Sequence, residues 1–184
     1  MRPGNQLVYI LLTNTGTLFT RALGLCTGAP YNHSSLAFDS DLSEVYSFGR
    51  LKPRNPFIGG FIREDRRKGL YALKQETTCA VFELNVSDEE LALLRQAVTE
   101  FDAEREKYKY SLLGLVGVAV HRPINRPYAF FCSQFVTTAL ERAGVYLFDK
   151  PAGLVTPEDF QKHPDLKLMY EAKLKEYRAE PAHP

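Results

Sequence analysis

Two short stretches carry residue types that could do chemistry together. In Tyr128-Ala129-Phe130-Phe131-Cys132-Ser133-Gln134-Phe135-Val136, a cysteine stands where an apolar segment gives way to helical periodicity. Phe135, Val136, Ala139, Leu140 and Ala143 recur at helical spacing, and Gly144 follows as the stop. Cys132 then lies in the first turn, beside unpaired backbone N–H groups and the positive end of the helix dipole. That position favours thiolate over thiol, and the thiolate is the nucleophile. Far upstream, Tyr31-Asn32-His33-Ser34-Ser35-Leu36-Ala37-Phe38 offers a histidine on a strand. Its own face carries the small residues Ser35 and Ala37, which leaves room for a substrate or an approaching helix. An imidazole so placed could take the thiol proton and later return it to a leaving group. The alternatives are ordinary ones: Cys132 as a small buried apolar side chain, and His33 as a locally hydrogen-bonded structural histidine.

A third polar group should hold the imidazole in the useful tautomer. The strand after His33 offers Ser47 and Glu44. A five-residue turn centred near Ser40 would set Ser47 opposite His33 on the same face, whereas Glu44 has the opposite parity and points to solvent. Ser47 is therefore the expected third residue. The Cys132 backbone N–H is the expected oxyanion donor, with Tyr31 as the candidate second one. Cys26 and Cys79 read as packing residues, since neither has a motif histidine. His121 lies in a proline-rich loop, and His163 and His183 lie towards the tail. No cluster has metal-ligand spacing, and no cofactor is expected. The basic run Lys52, Arg54, Arg63, Arg66, Arg67 and Lys68, interrupted by Glu64 and Asp65, reads as a solvated loop. The alternative is a rim for a substrate carboxylate or phosphate, with Gly59-Gly60 as the hinge of a lid.

The elements that must position these residues follow from pattern. Gln6–Thr13 reads as a buried strand and Thr17–Cys26 as a short helix. His33–Phe38 and Glu44–Phe48 form a hairpin across Asp39–Ser43. Leu51–Gly60, with Pro53, Pro56, Gly59 and Gly60, reads as irregular. Cys79–Val86 alternates as a strand, and Ser87-Asp88-Glu89-Glu90 is a capping box opening a helix to about Glu104. Pro151–Phe160 reads as loop with a short helical turn. Leu166–Tyr177 fits strand or helix, and Leu166–Tyr170 reads as a core element. The pattern is α+β, a largely antiparallel sheet packed against helices, in one domain over residues 1–177 with a disordered tail over 178–184.

With 184 residues, 45% of them hydrophobic, the chain can bury a real core. Its 23 Lys+Arg against 22 Asp+Glu give no field for nucleic acid or an anionic membrane. Three widely spaced cysteines suit a reducing compartment. The apolar runs Leu7–Leu12 and Leu112–Val120 are too short to span a bilayer. The expectation is a cytoplasmic protein with no integral membrane segment and no nucleic-acid partner.

Tyr31-Asn32-His33-Ser34-Ser35-Leu36, Val45-Tyr46-Ser47-Phe48-Gly49-Arg50 and Phe131-Cys132-Ser133-Gln134-Phe135-Val136 together resemble the permuted papain-like amidases. These are the YaeF/YiiX-type proteins, related to the NlpC/P60 superfamily and similar to lecithin:retinol acyltransferase. The histidine precedes the cysteine, as in the permuted branch, and the resemblance runs from about Val8 to Phe160. It implies a circularly permuted papain-like fold, Cys132 as nucleophile and His33 as base. Relatives often carry Glu or His as the third residue, so Ser47 would be a departure. The implied activity is thiol-protease-like: cleavage or transfer at amide or ester acyl groups, through a thioester, on a small peptide, amide or acyl-ester substrate. The alternatives are a lipid-directed acyltransferase and a non-catalytic binding module that keeps the fold.

Overall fold

The computed structural model describes residues 4–15, 29–52, 55–124 and 126–179. Cys26 and the helix expected over Thr17–Cys26 lie outside them, as does the tail beyond Ala179.

Six strands form one antiparallel sheet in the order β4-β3-β2-β1-β5-β8. They are β1 (Gln6–Asn14), β2 (His33–Ala37), β3 (Val45–Lys52), β4 (Asn55–Glu64), β5 (Thr78–Val86) and β8 (Lys167–Lys173). The helices among the described residues are α1 (Gly69–Leu73), α2 (Asp88–Ala103), α3 (Leu112–Ala119), α4 (Cys132–Arg142) and α5 (Pro157–Lys162). A two-residue parallel pairing joins β6 (Lys109–Tyr110) to β7 (Ala129–Phe130). The α+β class with a mostly antiparallel sheet stands.

The central strand explains its own sequence. β1 is apolar without a break from Val8 to Leu12 because both its faces are covered there. Val8, Ile10 and Leu12 join Leu36, Phe48, Phe82 and the apolar stripes of α2 and α4. Tyr9 and Leu11 face the other way, towards Ala37, Val45, Tyr71 and Val81. The α2 start is the expected capping box, with Ser87 accepting from the Glu90 N–H and Glu90 accepting from the Ser87 N–H. At the far end of α4, Gly144 adopts φ +82°, the left-handed stop that glycine takes without strain. Leu166–Tyr177 resolves into edge strand β8 followed by a 3-10 turn. Only Leu166 of the expected core pentapeptide is buried, and Leu168 is exposed.

The largest correction concerns Leu51–Gly60. Proline and glycine point to an irregular segment, yet most of it is paired strand, with Gly49 opposite Gly60 and Arg50 opposite Gly59. Those glycines serve close approach rather than hinging. A Cβ on Gly59 would stand 2.8 Å from the Tyr110 Cβ and 2.8 Å from the Gly49 carbonyl oxygen, so β6 could not lie where it does.

Candidate active site

Cys132 is the first residue of α4, after an N-cap, Phe131, that offers no side-chain bond. One turn on, Phe135 is fully buried, its ring 5.4 Å from Phe48, 5.4 Å from Phe61 and 5.1 Å from Phe101. Aromatic contacts of this kind fix position as well as burying area. Ser133 Oγ donates to the Val155 carbonyl at 2.6 Å, tying the same turn to the chain ahead of α5. The cysteine thus stands on a helix start anchored from two sides.

His33 opens β2, and Thr13 of β1 is its cross-strand partner. Its ring lies between two partners. Nε2 is 2.8 Å from Glu64 Oε1, and the Cys132 sulfur is the other hydrogen-bond partner of the ring. An ionised carboxylate only accepts, so Nε2–H donates and Nδ1 remains for the sulfur. Glu64, the last residue of β4, is 9% exposed and saturated with donors. Ser47 Oγ donates to Oε1 at 2.5 Å, Ser35 Oγ to Oε2 at 3.0 Å and Tyr71 OH to Oε2 at 2.9 Å. Behind them, Thr13 Oγ1 meets Tyr71 OH at 3.4 Å. The dyad forms at the open end of β2, where the helix start on one face of the sheet meets this polar network on the other.

The electrostatics follow from those contacts. Burial pushes the Cys132 thiol up, but the hydrogen bond and charge of His33, with the Ser34 and Ser133 N–H groups, outweigh it and lower the pKa. Burial alone would lower the His33 pKa. The Glu64 carboxylate and the bond to Cys132 reverse that, raising it to about 10. Glu64 pays desolvation too, yet His33, Ser47 and Tyr71 hold its pKa below the ordinary value. The arrangement favours a thiolate–imidazolium pair.

A cleft of about 670 Å³ opens beside the dyad, with His33, Gly49, Arg50, Ile62, Leu70 and Tyr110 in its wall. Cys132 is 3% exposed and is not itself in that wall. The sulfur is reached past its neighbours. Tyr110 is one of these: its hydroxyl hydrogen-bonds the Cys132 sulfur, and burial together with that negative neighbour pushes its pKa well up. Gly49 keeps the wall thin beside the ring, since a Cβ there would stand 3.7 Å from His33 Cε1. Among the described residues no group of three or more His, Cys, Asp or Glu could hold a metal ion.

The expectations divide cleanly. Cys132 and His33 are together. Ser47 lies on the His33 face, but its hydroxyl bonds Glu64, and the place at the ring expected for it belongs to Glu64. The register explains the difference: β2 and β3 pair Leu36 with Tyr46 and Ala37 with Val45, which by continuation sets Gly49, not Ser47, opposite His33. Glu44 is turned away, bonded to Arg95 at 3.0 Å and to the Tyr46 hydroxyl at 3.2 Å. Tyr31 is no oxyanion donor, because its hydroxyl donates to Glu171 at 2.7 Å. His121 is exposed at φ +55°, and His163 bonds the Leu147 carbonyl at 2.6 Å. Glu64 escaped notice because it ended a segment read as loop, where it interrupted a basic run. The signal was no more than the β-prone Phe61-Ile62 pair just ahead of it. Tyr110 had only the weak Tyr108-Lys109-Tyr110 alternation to mark it.

No known family model matches this sequence, and no curated protein matches it either.

Proposed function

We propose that this chain is a cysteine-dependent hydrolase of amide or ester acyl groups, built on a circularly permuted papain-like fold. The observation that carries the reading is the His33 ring spanning Glu64 at 2.8 Å and the Cys132 sulfur. Histidine, acid and cysteine follow in that chain order, in keeping with the permuted amidases that the sequence resembles. The buried acid also weighs against a binding module that has merely kept the fold.

In the proposed reaction the Cys132 thiolate attacks the acyl carbonyl carbon. A C–S bond forms and the carbonyl π pair moves to oxygen. The Cys132 N–H and the Tyr110 hydroxyl are the candidate donors to that oxyanion. The tetrahedral adduct collapses to a thioester, the C–N or C–O bond breaks, and the His33 imidazolium gives its proton to the departing amine or alcohol. Water then attacks the thioester, His33 takes its proton, and the acid leaves as thiolate is restored. Glu64 stays ionised, holding Nε2–H and stabilising the imidazolium.

Incubation with p-nitrophenyl acetate tests this. The expected result is a burst of about one equivalent of p-nitrophenolate and an acetyl group on Cys132 by peptide mapping, both absent in Cys132→Ala. Acetylation elsewhere, or an equal burst in the variant, would sink the assignment.

A lipid-directed acyltransferase is the second reading. Leu113, Val116 and Val120, spaced along α3 and its C-terminal end, are 53%, 53% and 56% exposed.

A further inference from the structure

The near balance of charge over the whole chain conceals a local excess. From Lys107 to Leu140 there is no Asp or Glu, while Lys107, Lys109, Arg122 and Arg126 all fall in that stretch. At its centre lies α3, whose eight residues carry no polar side chain. Two glycines fix which way the helix faces. A Cβ on Gly114 would stand 2.8 Å from the Phe131 ring, and one on Gly117 2.6 Å from the Arg122 carbonyl oxygen. That face is therefore pressed onto the segment ahead of Cys132 and onto the chain returning towards β7. The opposite arc holds Leu113, Val116 and Ala119, continued by Val120, and all four are exposed.

The flanks of this arc are cationic. Lys109 stands just ahead of the N-cap Ser111, and Arg122 and Arg126 follow the helix. All three are exposed, and none has an ion pair among the described residues. Tyr128, also exposed, is held beside Lys109, whose N–H donates to the Tyr128 carbonyl at 2.8 Å. An aliphatic arc bordered by cations and an amphipathic ring is the pattern of a helix that lies in a lipid–water interface.

We propose that α3 docks the protein on an anionic lipid membrane, with Leu113, Val116 and Val120 among the acyl chains and the flanking cations on the headgroup phosphates. The helix lies in the membrane plane, since it is far too short to cross. A second copy of the chain suits the arc less. About 12 Å of helix offers much less than the about 800 Å² per partner of a stable pair, and like cations would meet like. A protein partner suits it less too, because the arc itself presents no aromatic or Arg anchor. Docking would bring the candidate active site to the membrane. Tyr110, whose hydroxyl meets the Cys132 sulfur, immediately precedes the N-cap of α3. The inference goes beyond the hydrolase reading and does not rest on it.

The chain has no tryptophan, so Leu113→Trp places a single fluorophore on the arc. Leu93→Trp, at an exposed position of α2, is the control. With vesicles of phosphatidylcholine mixed with phosphatidylglycerol, Leu113→Trp emission should move to shorter wavelength and be quenched by brominated acyl chains. Leu93→Trp should show neither effect. In cosedimentation, vesicles of phosphatidylcholine alone should bind the unaltered chain about tenfold to a hundredfold more weakly, and Lys109→Gln/Arg122→Gln/Arg126→Gln should lose that preference. Leu113→Gln/Val116→Gln, which keeps good helix formers at exposed positions, should cut binding about tenfold or more with thermal unfolding unaltered. Cys132→Ala should dock as the unaltered chain does. No shift in Leu113→Trp, an equal shift in Leu93→Trp, or binding indifferent to the anionic lipid overturns the proposal. Self-association without lipid that Leu113→Gln/Val116→Gln abolishes would overturn it as well, by giving the arc to a second copy.

Discussion

Two buried thiols sit in one molecule, and their surroundings send them in opposite directions. Cys79, on β5, is fully buried among Tyr9, Leu11, Val81 and Tyr170, and burial raises its pKa to about 12. Cys132 is almost as deeply buried, yet its pKa falls. Burial opposes the ionisation of both. What differs is the organised donors, since Cys132 receives an imidazolium, a phenol and two backbone N–H groups. Burial alone silences a thiol, whereas burial with a complete donor set strengthens its ionisation, because each of those dipoles and charges acts in a low dielectric.

The sharpest way to break that contrast is competitive labelling. With limited iodoacetamide at neutral pH, Cys132 should be alkylated about a thousandfold faster than Cys79, the order expected from their separation in thiolate population. Peptide mapping reads the ratio. Comparable labelling of the native protein would mean that the two environments do not differ as described.

A smaller effect should follow from Glu64→Gln. Loss of the carboxylate lowers the His33 pKa, so the imidazolium that supports the thiolate is depleted near neutrality. Alkylation of Cys132 at pH 7 should fall about tenfold to a hundredfold, and its alkaline limb should move down from about 10. Stability carries the same signature. His33 titrates above its unfolded value of about 6.5, so its contribution is full below that pH and lost as pH rises through about 10. Glu64 is depressed, so its contribution holds above about pH 4.3 and is lost as pH falls through the lowered folded value. Urea titrations across pH should show both slopes flattened in the variant.

The smallest effects separate Ser47 from Glu44. Ser47→Ala removes one of four donors to Glu64 and should slow the burst about twofold to fivefold. Glu44→Gln should leave the burst unaltered and cost at most about 0.5 kcal/mol, since its ion pair with Arg95 is half exposed. A larger loss in Glu44→Gln than in Ser47→Ala would reverse the assignment of these two side chains.

What the sequence disclosed follows what is local. The α4 start, the α2 capping box and the strands around His33 and Cys79 each carry a pattern within a few residues of the group concerned. The acid at the ring depends instead on three strands lying side by side. Ser35, Ser47 and Glu64 meet only once β2, β3 and β4 are in register, and a shift of two residues in the hairpin replaces Ser47 by Gly49 opposite His33. Parity survived that error, which is why Ser47 was expected on the correct face with the wrong partner. Tyr110 was hidden for a similar reason, since only the β6–β7 pairing brings it beside the segment leading into Cys132. Gly59 and Gly60 misled because glycine signals both a flexible turn and a place where another backbone comes close.

That short β6–β7 pairing has a kinetic consequence. Tyr110 and Cys132 reach each other through two residues of parallel strand, while His33 and Glu64 come from the opposite half of the chain. Closing such distant segments costs loop entropy before any contact rewards it, so the arrangement is expected to form late in folding. Until those segments dock, Cys132 lacks the partners that ionise it and remains an ordinary thiol. A nascent or partly folded chain therefore carries little of the sulfur's nucleophilicity, and the reactive state arrives together with the completed sheet.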